Sequence, residues 1–304
     1  MATRAGVVVV ANPAAGHGKS GKLIGKVESF LQGAGVPHEV RVSGSAEDLW
    51  RLVREAGEQG ASIVAVLGGD GTVGIAANAL LGTGAALAVL PAGTGDDFAT
   101  NVACGKLSSA LALLTEPTIV PIDVVRITCG VETRHFVNVA GAGFDSEVNE
   151  AANRMSVRLG DTGTYVAALF RTLSRFTPAG FRIQIDDETI ELSAMMVVVG
   201  NSIAYGGGMK VLPSARVRDG LLDVCIVTAL SKVSFLRAFP KVFRGRHTSH
   251  PNVMMRQGSH VKVEADRRVL VYADGERVGP LPAVFDVLPA ALPMVVNPGG
   301  RAVR

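Results

Sequence analysis

The sequence predicts an α/β protein in which an N-terminal domain with a parallel sheet is followed by a β-rich domain. Three observations carry this prediction. The first 120 residues alternate apolar β-type runs with helical patterns, which is typical of a parallel sheet with helices on its faces. After Pro121, strand-like runs follow one another with few helices between them. The chain has 304 residues, 48% of them hydrophobic, which is enough for one large core or two ordinary ones.

The N-terminal elements are predicted from short apolar runs separated by amphipathic stretches. The predicted parallel strands are Gly6 to Ala11, Pro37 to Val42, Ser62 to Leu67 and Ala85 to Leu90. The predicted helices are Ser20 to Ala34, Ala46 to Gln59 and Thr72 to Leu81. The second helix has the best-marked start, because Ser45 is a good N-cap and Glu47 and Asp48 suit the positive helix end.

The second half is predicted to be mainly strands. They are Ile122 to Thr128, His135 to Ala140, Phe181 to Ile185, Thr189 to Gly200, Leu222 to Ala229, Val261 to Glu264 and Val269 to Ala273. The alternation of Val261, Val263 and Ala265 with Lys262 and Glu264 indicates an antiparallel strand with one solvent-exposed face. Two helical segments, Asp145 to Phe176 and Lys232 to Gly245, interrupt the series.

Charge and cysteine content restrict the class of protein. A formal charge of +3, from 30 basic and 27 acidic residues, does not favour nucleic acid as a partner. Cys104, Cys129 and Cys225 show neither zinc-site spacing nor an even-numbered disulfide framework, so a reducing cytoplasm fits best. No segment reaches the roughly 18 consecutive apolar residues that span a bilayer. We therefore expect a soluble or peripheral protein.

Three glycine-rich loops each follow an N-terminal strand, and ligands collect at the carboxyl ends of parallel strands. The first loop contains a formal GxGxxG at Gly16, Gly18 and Gly21, which is a weak dinucleotide-binding signal because four residues separate Gly16 from the end of the strand. Pro13 stands where a Walker A loop requires glycine, which excludes that motif.

The second loop, Gly68-Gly69-Asp70-Gly71-Thr72, links a strand directly to a helix and predicts an anion pocket of backbone N–H groups. A carboxylate there indicates either contact with Mg²⁺ or a transferring proton, or simply a helix cap. Spacing alone does not separate the two interpretations. The third loop, Pro91 to Ala99, has the same strand-to-helix context, and its alternative interpretation is a tight turn with Asp96 or Asp97 as N-cap.

Together, Gly68 to Thr72 and the run Gly93-Thr94-Gly95-Asp96-Asp97-Phe98 resemble the bacterial diacylglycerol kinase catalytic-domain family of lipid kinases. The glycine-Asp-glycine loop by itself also resembles NAD kinases and phosphofructokinases. Further family-like motifs follow in the family's order and extend the resemblance over nearly the whole chain: Asn12-Pro13, Gly141 to Asp145, Tyr205 to Met209, Asp219 to Val224 and Asp274-Gly275-Glu276.

The resemblance implies an architecture. Residues 1–120, with the C-terminal segment 291–304, would form a nucleotide-binding α/β domain, and residues 121–290 an antiparallel β-sandwich domain for the lipid acceptor. The active site would lie in the interdomain cleft.

The resemblance also implies ATP as donor, Mg²⁺, a lipid hydroxyl as acceptor, and roles for individual residues. The nucleotide site would be lined by Asn12, Pro13, Ala14, Ala15, Gly16, Ser43, Gly68, Gly69, Asp70, Gly71, Thr72, Gly93 and Thr94. A structural Mg²⁺ would be held by Asp219 and the main-chain oxygens of Arg216 and Leu221, although Asp219-Gly220 is also an ordinary turn pair. Glu276 would be the general base, with Asp274 and Asp70 arranging metal and water.

Two positions depart from the family pattern. Asp96 stands where asparagine is usual, which replaces an amide that can donate with an acceptor-only carboxylate. Gly74 replaces a polar residue near the start of the predicted helix. The pair Asp274-Gly275 also suits a hairpin turn, and a hairpin tip can present a carboxylate to a cleft.

A lipid acceptor requires contact with a membrane surface. The segment Lys232 to His247 mixes phenylalanines with lysines and arginines, as basic amphipathic surface helices do, but ordinary packing on the β domain is equally compatible. The leading prediction is a cytoplasmic, peripherally membrane-associated kinase that converts diacylglycerol to phosphatidic acid. Kinases of a sphingoid base, of phosphatidylglycerol or of a soluble metabolite, and an inactive sensor, are the alternatives; the apolar excess also suits a homodimer.

Overall fold

The computed structural model describes residues 6–154 and 161–300. Its α-helices are α1 Lys19–Gly33, α2 Ala46–Glu58, α3 Asp70–Leu80, α4 Asp97–Val102, α5 Leu107–Leu113, α6 Phe144–Arg154, α7 Asp161–Arg175 and α8 Lys232–Ala238. Two 3-10 helices span Phe239–Arg244 and Arg246–Ser249. The predicted fold class is confirmed: a parallel α/β domain precedes an antiparallel sandwich-like domain.

The first five strands are β1 Val7–Ala11, β2 His38–Val42, β3 Ile63–Gly68, β4 Ala86–Pro91 and β5 Ile119–Cys129. They are followed by β6 Glu132–Phe136, β7 Val139–Gly143, β8 Ala179–Ile185, β9 Glu188–Gly200 and β10 Leu222–Thr228. The last five are β11 Val253–Gly258, β12 His260–Ala265, β13 Leu270–Ala273, β14 Glu276–Pro280 and β15 Ala283–Val295.

The N-terminal sheet has the parallel order β2-β1-β3-β4. Strands β1, β3 and β4 are almost entirely apolar because both of their faces are covered, whereas the edge strand β2 carries His38, Glu39 and Arg41. Val8 and Val10 belong to the core that includes α2 and α3, whereas Val7 and Val9 face the core that includes α1 and α5. The strand order changes direction at β1, because β2 lies on one side of it and β3 on the other, and this brings the first two glycine loops side by side at the topological switch point.

The C-terminal domain is antiparallel, with the path β14-β13-β7-β9-β8-β12-β15 and with β10–β11 and β5–β6 attached. Strand β15 pairs with β12 and β5 in this domain and then reaches β4, where Met294 lies opposite Leu87 in parallel register. The last strand therefore joins both sheets, and residues 301–304 of the predicted C-terminal segment lie outside the described residues.

The strand predicted over His135 to Ala140 is wrong, because two strands, β6 and β7, occupy this region. Between them the backbone N–H groups of Val137, Asn138 and Val139 all donate to the Asp274 carboxylate. Because these backbone N–H groups bond to a side chain and not to a neighbouring strand, the pairing of β6 ends here and that of β7 begins after them.

Other predicted boundaries also change. The helical stretch Asp145 to Phe176 is found as α6 and α7, and residues 155–160 between them lie outside the described residues. The segment Lys232 to Gly245 is α8 followed by a 3-10 helix, with Pro240 in the first turn of the latter. Strands β11 and β15 and helix α5 were not predicted. Helix α4 and strand β14 were expected without bounds, as the helix after the third loop and as the strand after the Asp274-Gly275 turn.

Two further findings concern covalent structure and membrane insertion. Cys104, Cys129 and Cys225 are free thiols. In the described ranges 6–154 and 161–300, no helix has both the length and the apolar character needed to cross a bilayer.

Candidate active site

The first two glycine loops are tied together by side-chain hydrogen bonds. The Asn12 amide Nδ2 donates to Thr72 Oγ1 at 3.1 Å, and the Asn12 backbone N–H donates to the carbonyl of Leu67. Gly68 makes this arrangement possible, because a Cβ there would lie 2.3 Å from Thr72 Oγ1. Position 68 therefore has to be glycine if Thr72 is to keep its place at the start of α3.

The third loop packs on the other two. A Cβ on Gly69 would approach Gly93 Cα to 3.1 Å, and one on Gly16 would lie 2.2 Å from the Ala92 carbonyl oxygen. Gly16 also has a φ of 60°, a left-handed conformation that favours glycine. The three loops thus meet at one edge of the parallel sheet.

Asp70 is the first residue of α3, and its carboxylate faces the next helix. It accepts hydrogen bonds from the backbone N–H groups of Asp97 at 3.2 Å and Phe98 at 3.0 Å. The carboxylate therefore caps α4, and not α3 as the capping alternative predicted. Asp96 precedes α4, but its side chain makes no cap bond to that helix and instead accepts from the N–H of Gly93 at 2.9 Å.

Several carboxylates crowd this region. Burial raises the pKa of both Asp96 and Asp97, and the negative charge of Asp70 raises the pKa of each further. Asp97 accepts a 2.7 Å hydrogen bond from the N–H of Gly207, which links α4 to the glycine run 206–208 of the second domain. The carboxylates of the site therefore carry more negative charge than the backbone N–H groups bonded to them compensate.

The second domain contributes the hairpin formed by β13 and β14. Asp274 and Gly275 form its turn with φ values of 48° and 83°, as the sequence pair predicts. Burial raises the pKa of Asp274 to about 6 against the effect of three backbone hydrogen bonds, and the charge of Asp70 adds to this rise. Glu276 is the first residue of β14.

A cleft of about 900 Å³ joins these parts. Its lining includes most of the predicted site residues: Asn12, Ala15, Gly16, Gly69, Asp70, Gly71, Thr72, Gly93, Thr94, Asp274 and Glu276. Asp70 and Glu276, from different domains, open on the same cleft.

Four predicted nucleotide-site residues do not line the cleft. Pro13 and Ala14 belong to the first loop but are not part of the lining, and Gly68 is the last residue of β3. Ser43 is buried at the end of β2, where its hydroxyl donates to the Ala11 carbonyl at 3.1 Å.

Several cleft residues were not predicted from the sequence, among them Trp50, Asn78, Arg134 and His135. Trp50 carries a signal in the sequence, because it lies off the apolar stripe of α2. In the structure it is 45% exposed. Asn78 Nδ2 donates to the carbonyl of His135 at 2.8 Å and so ties α3 to the second domain.

The donor set of the cleft suits a divalent cation that is shared with phosphates. Within residues 6–154 and 161–300, no three His, Cys, Asp or Glu side chains are grouped to hold a metal by themselves. Mg²⁺, however, usually binds through one or two carboxylates together with substrate phosphates. The surplus of carboxylates around Asp70 fits that mode of binding.

The turn before β10 holds the second predicted cation site. Asp219 is exposed and accepts from the N–H of Leu221 at 3.2 Å, while the Gly220 N–H donates to Asp123 at 2.7 Å. Asp223 is buried, and its Oδ2 has no hydrogen-bond partner. Burial raises the pKa of Asp223 to about 6, and the nearby Asp219 adds to it. An unpartnered buried carboxylate oxygen beside a second carboxylate fits a cation.

A second, apolar cavity of about 70 Å³ lies inside the C-terminal domain. Its walls come from α7, β9, α8 and the 3-10 helix after α8, and include Leu169, Met196, Phe235 and Val242. Phe235 packs against Phe144 with ring centroids 4.8 Å apart. The segment after Lys232 therefore packs on the domain with one face.

Its other face is exposed, with Val233, Leu236 and Phe243 beside Lys241, Arg244 and Arg246. Packing and an amphipathic surface, the two interpretations of this segment, are thus compatible.

Comparison with protein families identifies both halves of the chain. Residues 6–127 match the diacylglycerol kinase catalytic domain. Residues 138–296 match the YegS C-terminal NAD kinase beta sandwich-like domain. The chain belongs to the diacylglycerol kinase family of lipid kinases. The predicted family is thereby confirmed, and its members' chemistry implies ATP and a lipid substrate.

Individual members of the diacylglycerol kinase family match almost the full chain. A protein named diacylglycerol kinase from Mycobacterium tuberculosis (strain ATCC 25618 / H37Rv) is 37% identical over 291 residues, which is 94% of this chain and 93% of the relative. A protein named "Probable lipid kinase YegS-like" from Klebsiella pneumoniae (strain 342) is 29% identical over 91% of this chain and 92% of its own.

The fold is also that of a solved member. A crystal structure described as a diacylglycerol kinase from Bacillus anthracis str. Sterne superposes with a TM-score of 0.76 at 23% identity, covering 97% of this chain and 98% of that chain. The protein is thus an enzyme, a lipid kinase with the two-domain fold of the diacylglycerol kinase family.

Proposed function

We propose that this lipid kinase transfers the γ-phosphoryl group of ATP to the hydroxyl of diacylglycerol and so forms phosphatidic acid. The observation that carries the proposal is the common cleft, where glycine loops of the first domain face Glu276 of the second. The 37% identical relative named diacylglycerol kinase supports this acceptor. The apolar second cavity supports a lipid over a soluble metabolite, which would require a polar pocket.

ATP would bind with its phosphates at the three loops. The backbone N–H groups at the start of α3 have no partner within the helix and suit phosphate oxygens. Close packing of Gly69 on Gly93 leaves the main chain accessible to a phosphate at this edge. Trp50 offers an aromatic surface in the same cleft, suited to contact with the base.

We propose Asp70 as a Mg²⁺ ligand. Asp274 adds a second carboxylate to the same acidic cluster. When Mg²⁺ is bound it neutralises charge on the transferring phosphates. Asp274 holds the linker between β6 and β7 through three backbone hydrogen bonds, so it fixes the hairpin that carries Glu276. At Asp219, with the main-chain oxygens of Arg216 and Leu221, we propose a second, structural Mg²⁺ site.

Glu276 is the proposed general base. The acceptor oxygen attacks the γ-phosphorus, its proton passes to the Glu276 carboxylate, and ADP leaves with the bridging oxygen. General-base catalysis typically contributes about 10²- to 10⁴-fold to the rate. The exposed position of Glu276 at the start of β14 leaves its carboxylate available to an incoming lipid hydroxyl.

One experiment tests both the acceptor and the base. Purified protein is incubated with Mg²⁺ and labelled ATP and one of several acceptors: diacylglycerol, a sphingoid base, phosphatidylglycerol, NAD or a simple sugar. We expect the highest kcat/KM with diacylglycerol and a kcat at least about tenfold lower in Glu276→Gln. Glu116→Gln, an exposed change of the same charge outside the cleft, serves as the control.

Two results would contradict the proposal. Preference for another acceptor would exclude diacylglycerol while retaining the lipid kinase, and near-normal turnover by a folded Glu276→Gln would exclude the base.

A further inference from the structure

A groove of about 580 Å³ lies between α6, α7 and the β13–β14 hairpin, apart from the ATP cleft. We call it the arginine groove, because its cationic side chains are all arginines: Arg154, Arg171, Arg175, Arg268 and Arg277. Among the lining residues that the structure describes, Glu147 and Glu150 are the only acidic ones, so this part of the groove carries a positive excess.

The groove arginines are poorly paired. Glu150 accepts from Tyr272 and from Arg154, each at 2.6 Å, and the Tyr272 hydrogen bond lowers the pKa of Glu150 most. Arg277 lies close enough to Glu150 to lower its pKa further, but not within ion-pair distance. In the part of the chain that the structure describes, the other three groove arginines, Arg171, Arg175 and Arg268, have no carboxylate within that distance either.

The exposed arginines of α2 show the contrast. Arg51 pairs with Asp48 and Glu55, and Arg54 pairs with Glu58. Arg171 and Arg175, one turn apart on α7, instead place like charges side by side, an arrangement that costs a few tenths of a kcal/mol in a helix. Arg268 and Arg277 face them from the sheet side of the groove. Clustered guanidinium groups without carboxylate partners suit an anionic ligand.

The groove and the ATP cleft lie on opposite sides of one hairpin. Along β14, Glu276 and Val278 line the cleft, whereas Arg277 between them lines the groove. This follows from the alternation of side chains along a strand. An anion in the groove is therefore separated from the nucleotide phosphates by the thickness of the hairpin.

We propose that the arginine groove binds a phosphomonoester group. A guanidinium fork matches phosphate oxygens in a bidentate manner, and a phosphomonoester carries nearly two negative charges at neutral pH. The groove is large enough to take more than a bare phosphate. The ligand is either the headgroup of a phosphatidate-type lipid or a soluble phosphomonoester. The proposal does not require diacylglycerol to be the acceptor.

Isothermal titration calorimetry without ATP tests the site. The probes are dioctanoyl phosphatidate below its micelle concentration, glycerol 3-phosphate as a soluble phosphomonoester, and dioctanoylglycerol, which has no phosphate. The variants are Arg171→Gln with Arg175→Gln, and Arg268→Gln with Arg277→Gln. Arg182→Gln with Arg256→Gln removes the same charge from exposed ion pairs outside the groove and serves as the control. Thermal unfolding of each variant verifies that it is folded.

We expect saturable phosphomonoester binding that weakens at least about tenfold in both groove variants. The control should bind like the wild type. Binding of phosphatidate alone would identify a lipid headgroup as the ligand, and equal binding of glycerol 3-phosphate would identify a soluble one.

Two results would overturn the proposal: no phosphomonoester binding, or unchanged phosphomonoester affinity in both folded groove variants. Because the groove variants are compared with the wild type in binding alone, these results are independent of whether the proposed acceptor is correct.

Discussion

Asp96 combines a left-handed backbone conformation with a half-buried carboxylate. Its φ of 51° lies in the left-handed region, where asparagine is accepted more readily than most residues. Its carboxylate is half-buried beside Asp70 and Asp97, and burial raises its pKa. Lys19 acts in the opposite direction, by lowering that pKa. In the absence of a bound cation, the ionised Asp96 therefore destabilises the fold around the third loop.

We predict that Asp96→Asn stabilises the metal-free protein, and more so at pH 7 than at pH 4. With a native pKa above the ordinary 3.8, the folded state binds more protons than the unfolded state between the two values. The wild type accordingly loses stability relative to the variant as pH rises through that window, and the difference vanishes below it. Urea unfolding of both proteins without Mg²⁺ at the two pH values measures this. A difference in unfolding free energy that is the same at both pH values would contradict the assigned pKa direction.

At the scale of elements, the three glycine loops act as one unit because each contacts another. Gly68 has little room, since an added Cβ would lie 2.3 Å from Thr72 Oγ1, and Thr72 is held by Asn12.

We predict that Gly68→Ala raises the KM for ATP at least about tenfold, equivalent to about 1.4 kcal/mol of binding, because displaced Thr72 releases the first loop. Gly25→Ala in α1, where an added Cβ meets nothing within 4 Å, is the matched control and should raise stability by about 0.5–1 kcal/mol. Steady-state kinetics with ATP varied at fixed lipid provides the measurement. A normal KM in a folded Gly68→Ala would show that the loops bind nucleotide independently of this packing.

Elements defined by local pattern were predictable, and those that depend on distant partners were not. The run Val7 to Val10 and the Ser45 cap carry their own signals. Strand β15 contains Pro289 and Pro293, which argue against a strand by the local rule. It forms because the ladder shifts register around Pro289 and because the Asp123 carboxylate accepts the Ala290 N–H at 2.8 Å.

In the candidate site, too, features with a local sequence pattern were predictable and contacts between distant segments were not. The glycine loops were visible in the sequence, as was the Asp274 turn. That Asp274 would accept three N–H groups from 137–139 could not be read from either segment, because the partners are more than 130 residues apart. The arginine groove likewise combines residues from Arg154 to Arg277, none of which forms a motif with the others.

The exposed face of the segment that begins with α8 gives a prediction about membranes. Val233 and Phe243 are 58% and 44% exposed beside Lys241, Arg244 and Arg246. We expect the protein to sediment with anionic vesicles at low salt and to be released at high salt, because screening removes the lysine and arginine attraction.

Val233→Ser with Phe243→Ser should reduce vesicle partitioning at least about tenfold, given about 1.5–3 kcal/mol for burying one such side chain. Val131→Ser, at a turn where the valine is 98% exposed, is the control. Equal sedimentation with neutral and anionic vesicles would contradict an electrostatic contribution to membrane binding. Unchanged partitioning of the double variant would contradict a contribution from Val233 and Phe243.

At the scale of the whole molecule, the two domains share one hydrophobic core. A single cluster of buried side chains includes Val8 and Leu87 of the parallel sheet together with Phe144 and Met196 of the second domain. Strand β15 runs through both sheets, and its Met294 is fully buried opposite Leu87. The shared core therefore fixes the three glycine loops and the β13–β14 hairpin relative to each other. A reaction between groups of both domains requires such a fixed arrangement.

If the core is shared, a cavity made by the last strand should destabilise the first domain as well as the second. We predict that Met294→Ala lowers the free energy of unfolding by about 2–5 kcal/mol and leaves a single transition monitored at Trp50 in the first domain and by far-UV circular dichroism. Ile119→Ala, on the neighbouring strand β5 with its side chain 44% exposed, should change stability by much less. Two separate transitions, with the Trp50 signal unaffected by Met294→Ala, would mean that the domains fold independently. The position of Glu276 relative to the loops would then depend on a ligand to close the cleft, because the shared core would no longer fix it.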